Sequence, residues 1–222
     1  MTGGFFSKIQ ILLNSRKIFK NWYIYPKVYC KLTSNKFVIF ETKDGLRIKI
    51  RAGTTDLMAL TNVWMINEYH VEDFEINRND VVIDIGAHIG LFSLLVSQYC
   101  KTGKILSFEP MRENFDLLVS NLELNRIDNV FPFNVAVSKN SSKLNLFLNS
   151  DQSAHSIFSE SSKSVTVESI SLQKIFEENK ISSCKLLKLD CEGAEYEIID
   201  SLPSKYLDKI QNMAIEYHLA DT

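Results

Sequence analysis

The sequence predicts an α/β fold, a mostly parallel sheet with helices on both faces. Three observations carry this. From residue 81 onward, short apolar runs rich in Val, Ile and Leu alternate with segments of helical periodicity. The run Val81–Ile85 leads through Asp84-Ile85-Gly86-Ala87-His88-Ile89-Gly90 into a helix-forming stretch. A second run, 104–109, again ends in an acid, Glu109, about twenty residues further on, as in a nucleotide-binding βαβ unit.

The elements follow in order. Residues 37–40 and 46–50 flank Lys43-Asp44-Gly45, a β-hairpin with an Asp-Gly turn. The second of these strands alternates, with one face apolar and the other basic. Thr54-Thr55-Asp56 supplies cap-type residues ahead of a helix over 57–66. Strand 81–85 leads into helix 90–99, and strand 104–109 into helix 112–125. In the latter Phe115, Leu118, Val119 and Leu122 form one core-facing stripe. A third strand is expected over 130–137, then strands over 144–148 and 165–170, a helix over 171–179, and buried strands over 185–190 and 212–218. Residues 138–163, rich in Ser, Asn and Lys, read as the most loop-like region.

The glycine spacing narrows the nucleotide. A dinucleotide turn needs a middle glycine so that the backbone can approach a pyrophosphate. Here Ala87 and His88 separate Gly86 from Gly90, so Cβ atoms stand in the way. Asp84 repels phosphate but suits an ammonium group. S-adenosylmethionine carries an amine, a sulfonium and a ribose diol, and no phosphate. Glu109 can accept both ribose hydroxyls, Met111 after Pro110 can lie against adenine, and Asn134 and Ala136 on the third strand close over the ring. The expected cofactor set is therefore Asp84, Gly86, Ala87, His88, Gly90, Glu109, Pro110, Met111, Asn134 and Ala136. An NAD-dependent oxidoreductase and a non-catalytic cofactor-binding subunit are the rival readings.

Asp84–Gly90, Phe108-Glu109-Pro110, Glu113-Asn114-Phe115, Asn121-Leu122-Glu123-Leu124-Asn125 and Ala136-Val137-Ser138 occur in this order. They are followed by Leu187-Lys188-Leu189-Asp190-Cys191-Glu192-Gly193-Ala194-Glu195 and Ile215-Glu216-Tyr217-His218. The series resembles the FkbM-type S-adenosylmethionine-dependent methyltransferases, a branch of class I, over roughly residues 54–218. The resemblance implies a Rossmann-like class I sheet and O-methylation of a hydroxyl on a sugar or secondary metabolite. In that family an acid and a tyrosine flank a helix comparable to 57–66, matching Asp56 and Tyr69. A complete class I sheet adds a helix and an antiparallel strand pair, for which the residues after His218 are too few. Residues 1–53 are thus expected as a helical and hairpin accessory segment, and 54–222 as a methyltransferase domain lacking its last strands.

Ligands of open α/β sheets bind outside the carboxyl ends of the strands. Asp190 and Glu192, and Glu216 and His218, lie two apart at strand ends and so point to one side. Methyl transfer to a hydroxyl needs positioning and a base. His218, whose ordinary pKa is near neutral, is the expected base and Asp190 the alternative. Glu192 and Glu195 line the pocket, fix the loop through backbone N–H groups, or cap a helix near Ala194. Nothing in the sequence requires a metal. No Asn-Pro-Pro-Tyr element follows the Asp190 strand, which argues against N-methylation of nucleobases.

At 222 residues, 45% hydrophobic and 23% charged, the chain suits one globular domain. A net charge of −2 gives no reason to expect nucleic acid. Residues 1–40, however, hold seven basic side chains and no acid, so the remainder carries −9. With Phe19, Trp22, Tyr23 and Tyr25 nearby, this segment either packs on the domain or touches a membrane surface. No apolar run is long enough to span a bilayer. Four scattered cysteines and no convincing signal peptide point to a reduced, cytoplasmic protein.

Overall fold

The computed structural model describes residues 5–147, 164–191 and 193–216. The chain opens with α1 (Phe5–Ile18) and α2 (Ile24–Tyr29), then the antiparallel hairpin β1 (Phe37–Glu41) and β2 (Arg47–Arg51). Gly45 in its turn has φ +95°, the left-handed region that favours glycine. Next comes α3 (Asp56–Leu60), which runs directly into a π-helical turn at Thr61–Ile66. The single helix expected over 57–66 is therefore two kinds of helix, and it ends at Asn67 in left-handed conformation.

The main body alternates as expected: β3 (Val81–Ile85), α4 (Leu91–Val96), β4 (Lys104–Phe108), α5 (Arg112–Asn125) and β5 (Val130–Phe133). Then follow β6 (Ala136–Ser138), β7 (Lys143–Phe147), β8 (Ser164–Ser171), α6 (Leu172–Glu178), β9 (Leu186–Leu189), α7 (Glu195–Asp200), α8 (Ser204–Leu207) and β10 (Met213–Ile215). Five strands form one parallel sheet in the order β10-β9-β3-β4-β5. Strand order reverses between β3 and β9, the point where such sheets bind ligands.

The strand expected over 130–137 is split. β5 lies at the sheet edge, where Pro132 costs no ladder bond on its outer side. The Asn134 side-chain amide then donates to the carbonyls of Glu109 and Pro110, each at 2.9 Å. The chain turns there, and β6 joins a separate three-stranded sheet, β6-β8-β7.

Period-two alternation divides the core. Ile83, Ile85, Leu106, Phe108, Leu187 and Leu189 face α6, α7 and α8. Val82, Ile105 and Leu186 face α4, α5 and the N-terminal elements, whose Phe19, Phe40, Ile48 and Ile50 are completely buried in the same cluster.

Residues 1–53 are tied in by an unusual device. β2 has an open edge, and α5 covers it with asparagines. Asn121 accepts from the Lys49 N–H at 2.8 Å and donates to the Lys49 carbonyl at 3.1 Å. Asn125 does the same for Arg47, at 2.7 Å both ways. Helical positions four apart rise about 6 Å and strand positions two apart about 6.6 Å, so the two side chains match successive outward-facing residues. The amides stand in for a third strand and satisfy an edge that would otherwise be open to pairing. Asn121, fully buried, also donates to the Ile89 carbonyl at 3.0 Å. Asn121→Ala leaves several buried backbone groups unpaired and is expected to lower stability by about 2–4 kcal/mol, at roughly 1–3 kcal/mol per orphaned group. Asn125→Ala, nearer solvent, should cost about 1 kcal/mol; urea denaturation of both variants checks the order.

Candidate active site

The centre of the sheet carries a buried polar row. Ser107, Asp84 and Lys188 stand opposite one another on β4, β3 and β9, and all three are buried. Ser93 of α4 packs over them, donating to Asp84 at 2.6 Å and lying 2.6 Å from the Ser107 hydroxyl. The Lys188 ammonium lies 3.1 Å from Asp84 Oδ1 and 3.4 Å from Asp190 Oδ2. It also donates to the Gly86 carbonyl at 2.9 Å and sits over the rings of Tyr69 and Phe92. Burial alone pushes its pKa down, but Asp84, Tyr69 and Asp190 outweigh this and hold it well above the usual lysine range.

The loop after β3 is fastened to the end of β4. Gly86 and Ala87 donate their N–H groups to the Phe108 carbonyl at 3.1 and 3.0 Å, and Gly90 donates to Ala87 at 2.8 Å. The His88 N–H, at φ +50°, donates to Glu109 Oε2 at 2.8 Å. Gly86 has φ +75°, and a Cβ there would lie 1.6 Å from the Asp190 carbonyl oxygen. That glycine is required by the neighbouring strand end.

A pocket opens above this loop. Its floor and near walls are Gly86, Ala87 and His88, then Phe108 to Met111, with Ala136 from β6. Lys188, Asp190, Cys191 and Glu216 line the side toward β9 and β10. Met58, Asn62 and Val63 from α3 and the π-helical turn, Glu68 and Tyr69 just after it, and Leu144 and Leu146 from β7 complete it.

Glu109 is nearly buried at the pocket wall, and Oε1 accepts from Met111 N–H at 2.9 Å. Burial raises its pKa to about 7, against the lowering effect of the hydrogen bonds from Met111, His88 and Asn114. Asn114 also joins it to a second network. Arg51 makes a bidentate pair with the fully buried Asp56, at 2.9 and 2.8 Å, and donates to Asn114 at 2.7 Å. The Arg51 guanidinium is 3.4 Å from His88 Nε2, and burial lowers the His88 pKa to about 4, so the ring is neutral. Asp190 Oδ2 accepts from the Tyr69 hydroxyl at 2.9 Å. Glu195 Oε1 accepts from Cys191 N–H at 2.9 Å, and Gly193 N–H also reaches its carboxylate. It thereby fixes the strand-to-helix loop.

Of the residues expected from sequence, Gly86, Ala87, His88, Glu109, Pro110, Met111, Ala136 and Asp190 come together on the pocket wall. Three are placed elsewhere. Asp84 lies beneath the loop, its carboxylate engaged by Lys188 and Ser93, because residue 84 faces the α4 side of the sheet. The side chain of Asn134 holds the Glu109-Pro110 carbonyls outside the pocket. Gly90 keeps α4 close to α5, since a Cβ would meet Leu118 Cγ at 3.0 Å. Glu192 and His218 lie outside the described residues. Sequence reasoning passed over Lys188 and Arg51. The signal for the first was a lone charge in the apolar strand Leu186–Leu189, and for the second the continuation of the basic alternation one residue past the expected strand 46–50.

Sheet order, glycine loop and acid-tipped second strand define an α/β protein of the Rossmann-like class. A model of the FkbM methyltransferase domain matches residues 84–221. The chain belongs to the FkbM-type methyltransferase family. It is similar to methyltransferase sdnD of Sordaria araneosa, with 27% identity over 171 residues, 62% of this chain and 66% of that protein. To the hexuronic acid methyltransferase AglP of Haloferax volcanii the identity is 24% over 171 residues, covering 73% and 69%. To methyltransferase 1 of Beauveria bassiana it is 23% over 157 residues, covering 61% and 63%. The chain thus spans about two thirds of the length of these relatives. Among solved structures, it is similar to a Pyrococcus abyssi tRNA (uracil-54, C5)-methyltransferase in complex with S-adenosyl-L-homocysteine. The TM-score there is 0.48 with 13% identity, over 81% of this chain and 35% of that one.

Glu109 gives the site a pH signature. Its pKa is raised on folding, so ionisation as pH rises through about 7 costs stability while it creates the better acceptor for a diol. Affinity for an adenosine diol ligand is therefore expected to rise as pH crosses about 7. Glu109→Gln should flatten that profile, as isothermal titration at a series of pH values would show.

Proposed function

We propose that this chain is an S-adenosylmethionine-dependent methyltransferase that methylates a hydroxyl of a sugar or secondary metabolite. The observation that carries the cofactor assignment is where the loop N–H groups go. Those of Gly86, Ala87, His88 and Gly90 are all donated within the protein, whereas a dinucleotide turn keeps its amides for a pyrophosphate. The pocket offers carboxylates and apolar surface in their place, which suits a cofactor of ribose, adenine and a cationic tail and disfavours NAD. Glu109 retains lone pairs for the ribose diol beyond those accepting His88 and Met111. Pro110 and Met111 would flank the adenine, and Asp190 and Glu216 stand on the side where the amine and sulfonium would lie. The family supports methyl transfer, and the name of the relative AglP, a hexuronic acid methyltransferase, supports a sugar as acceptor.

When bound, the cofactor supplies an activated methyl group. The protein supplies position and a proton acceptor. Asp190, held by Tyr69 and Lys188, is suited to orient the acceptor hydroxyl, and His218 is our assignment for the base. His218 would take the proton of the acceptor hydroxyl that Asp190 orients toward the methyl group the cofactor would supply.

Calorimetry with S-adenosylhomocysteine and NAD tests the cofactor, with binding of the first and not the second expected. The reverse would remove the reading, and binding without labelled-methyl transfer to any sugar or metabolite extract would leave a non-catalytic subunit. His218→Ala is expected to keep S-adenosylhomocysteine affinity and lower kcat by about 10²–10⁴. Unchanged turnover would move the base to Asp190.

A further inference from the structure

The outer face of α1 has no role in the site. Its inner face packs Ile11, Ser15 and Ile18 on the body, and Asn14 donates to the Met65 carbonyl at 2.9 Å, fixing the helix to the π-helical turn. The outer stripe, at spacings of three and four, reads Ile9, Leu12, Leu13, Arg16 and Lys17, with Lys20 just past the helix end, and every one of these is exposed. The leucines are 38% and 48% exposed and Ile9 41%.

Tyr29 and Leu32, at 54% and 76%, extend the apolar patch from the end of α2, where Lys8 lies 5.9 Å from the Tyr29 ring. Lys27 likewise sits 5.6 Å from the exposed Tyr23 ring. Lys20 pairs with Glu41. Lys8, Arg16, Lys17, Lys27 and Lys31 form no ion pair among the described residues.

We infer that this face binds the surface of an anionic lipid bilayer. The charge asymmetry argues for a negatively charged partner, since the basic segment stands against a remainder of net −9. Exposed Ile, Leu and Tyr among the lysines select lipid over nucleic acid. A phosphate backbone has no use for Leu12 and Leu13, whereas acyl chains and the headgroup boundary take up aliphatic and aromatic side chains beneath a cationic rim. No described helix is long and apolar enough to cross a membrane, so the contact is peripheral. The inference does not depend on the reaction proposed above.

Co-sedimentation of the full chain with phosphatidylcholine vesicles, with and without phosphatidylglycerol, tests this. Binding is expected only with phosphatidylglycerol, and it should weaken as salt rises toward about 1 M, where screening acts within about 3 Å. Arg16→Glu/Lys17→Glu should reduce partitioning at least tenfold, since each basic residue near the surface is worth about fivefold. Leu12→Asn/Leu13→Asn should also reduce it severalfold with an unchanged thermal melt. Absence of sedimentation with phosphatidylglycerol vesicles overturns the proposal. So does equal binding to duplex DNA with indifference to the leucine changes, which would make the face a polyanion site.

Discussion

The Lys188 ammonium is the constraint around which the site is built. A lysine in the middle of a parallel sheet pays a large desolvation penalty, and such ion pairs are weak sources of net stability. What this one provides is position. It lies between Asp84 inside the sheet and Asp190 on the pocket wall, and a hydrogen bond to the Gly86 carbonyl ties the loop to the same centre. The Asp190 carbonyl in turn occupies the space a Cβ on Gly86 would need. Loop, strand end and cation therefore determine one another. Removing the cation would leave Asp84 buried without its counter-charge and release the loop and the β9 strand end together.

The segment before β3 acts as part of the same machine. Arg51 at the end of the hairpin reaches Asp56, His88 and Asn114, and Asn114 touches Glu109. A cation from β2 thus stands behind the loop beside the His88 imidazole, which burial keeps neutral, while the asparagines of α5 hold β2 by its edge. The acid that faces the pocket and the hairpin are two or three hydrogen bonds apart. Asn114, Asn121 and Asn125 of α5 thus dock the hairpin behind the glycine loop.

What was legible in the sequence follows from period and from local chemistry. Strand β3 and the hairpin turn are read with their observed bounds because alternation and glycine placement are local signals. The convergence of Gly86, Glu109 and Asp190 follows from topology, since parallel strands put their carboxyl ends together. Asp84 lies beneath the loop and not on the pocket wall because position at a strand end does not tell which face the side chain takes. Val82 and Asp84 share the α4 face, and only the opposing Lys188 on β9, more than a hundred residues later, decides what the carboxylate meets. The splitting of β5 from β6 turns on where the Asn134 amide finds carbonyls, again a long-range matter. Arg51 fell outside the expected strand 46–50, and its burial depends on Asp56 of α3 and Asn114 of α5, which no local pattern shows.

The pocket divides by origin. Its loop and strand-end side is made from the residues that define the family, all close to the backbone of β3, β4 and β9. The opposite side comes from Met58, Asn62 and Val63 and from Leu144 and Leu146 of the second sheet, none of which belongs to the recurring motifs. Asn62 and Val63 lie in the π-helical turn, where the wider backbone spiral displaces side chains from α-helical positions. The turn is held open by Trp64, whose ring N–H donates to the Leu91 carbonyl at 3.3 Å. Because the Lys188, Gly86 and Asp190 contacts involve no side chain of the opposite side, substitutions at Met58, Leu144 or Leu146 are expected to reshape the pocket before they disturb the loop.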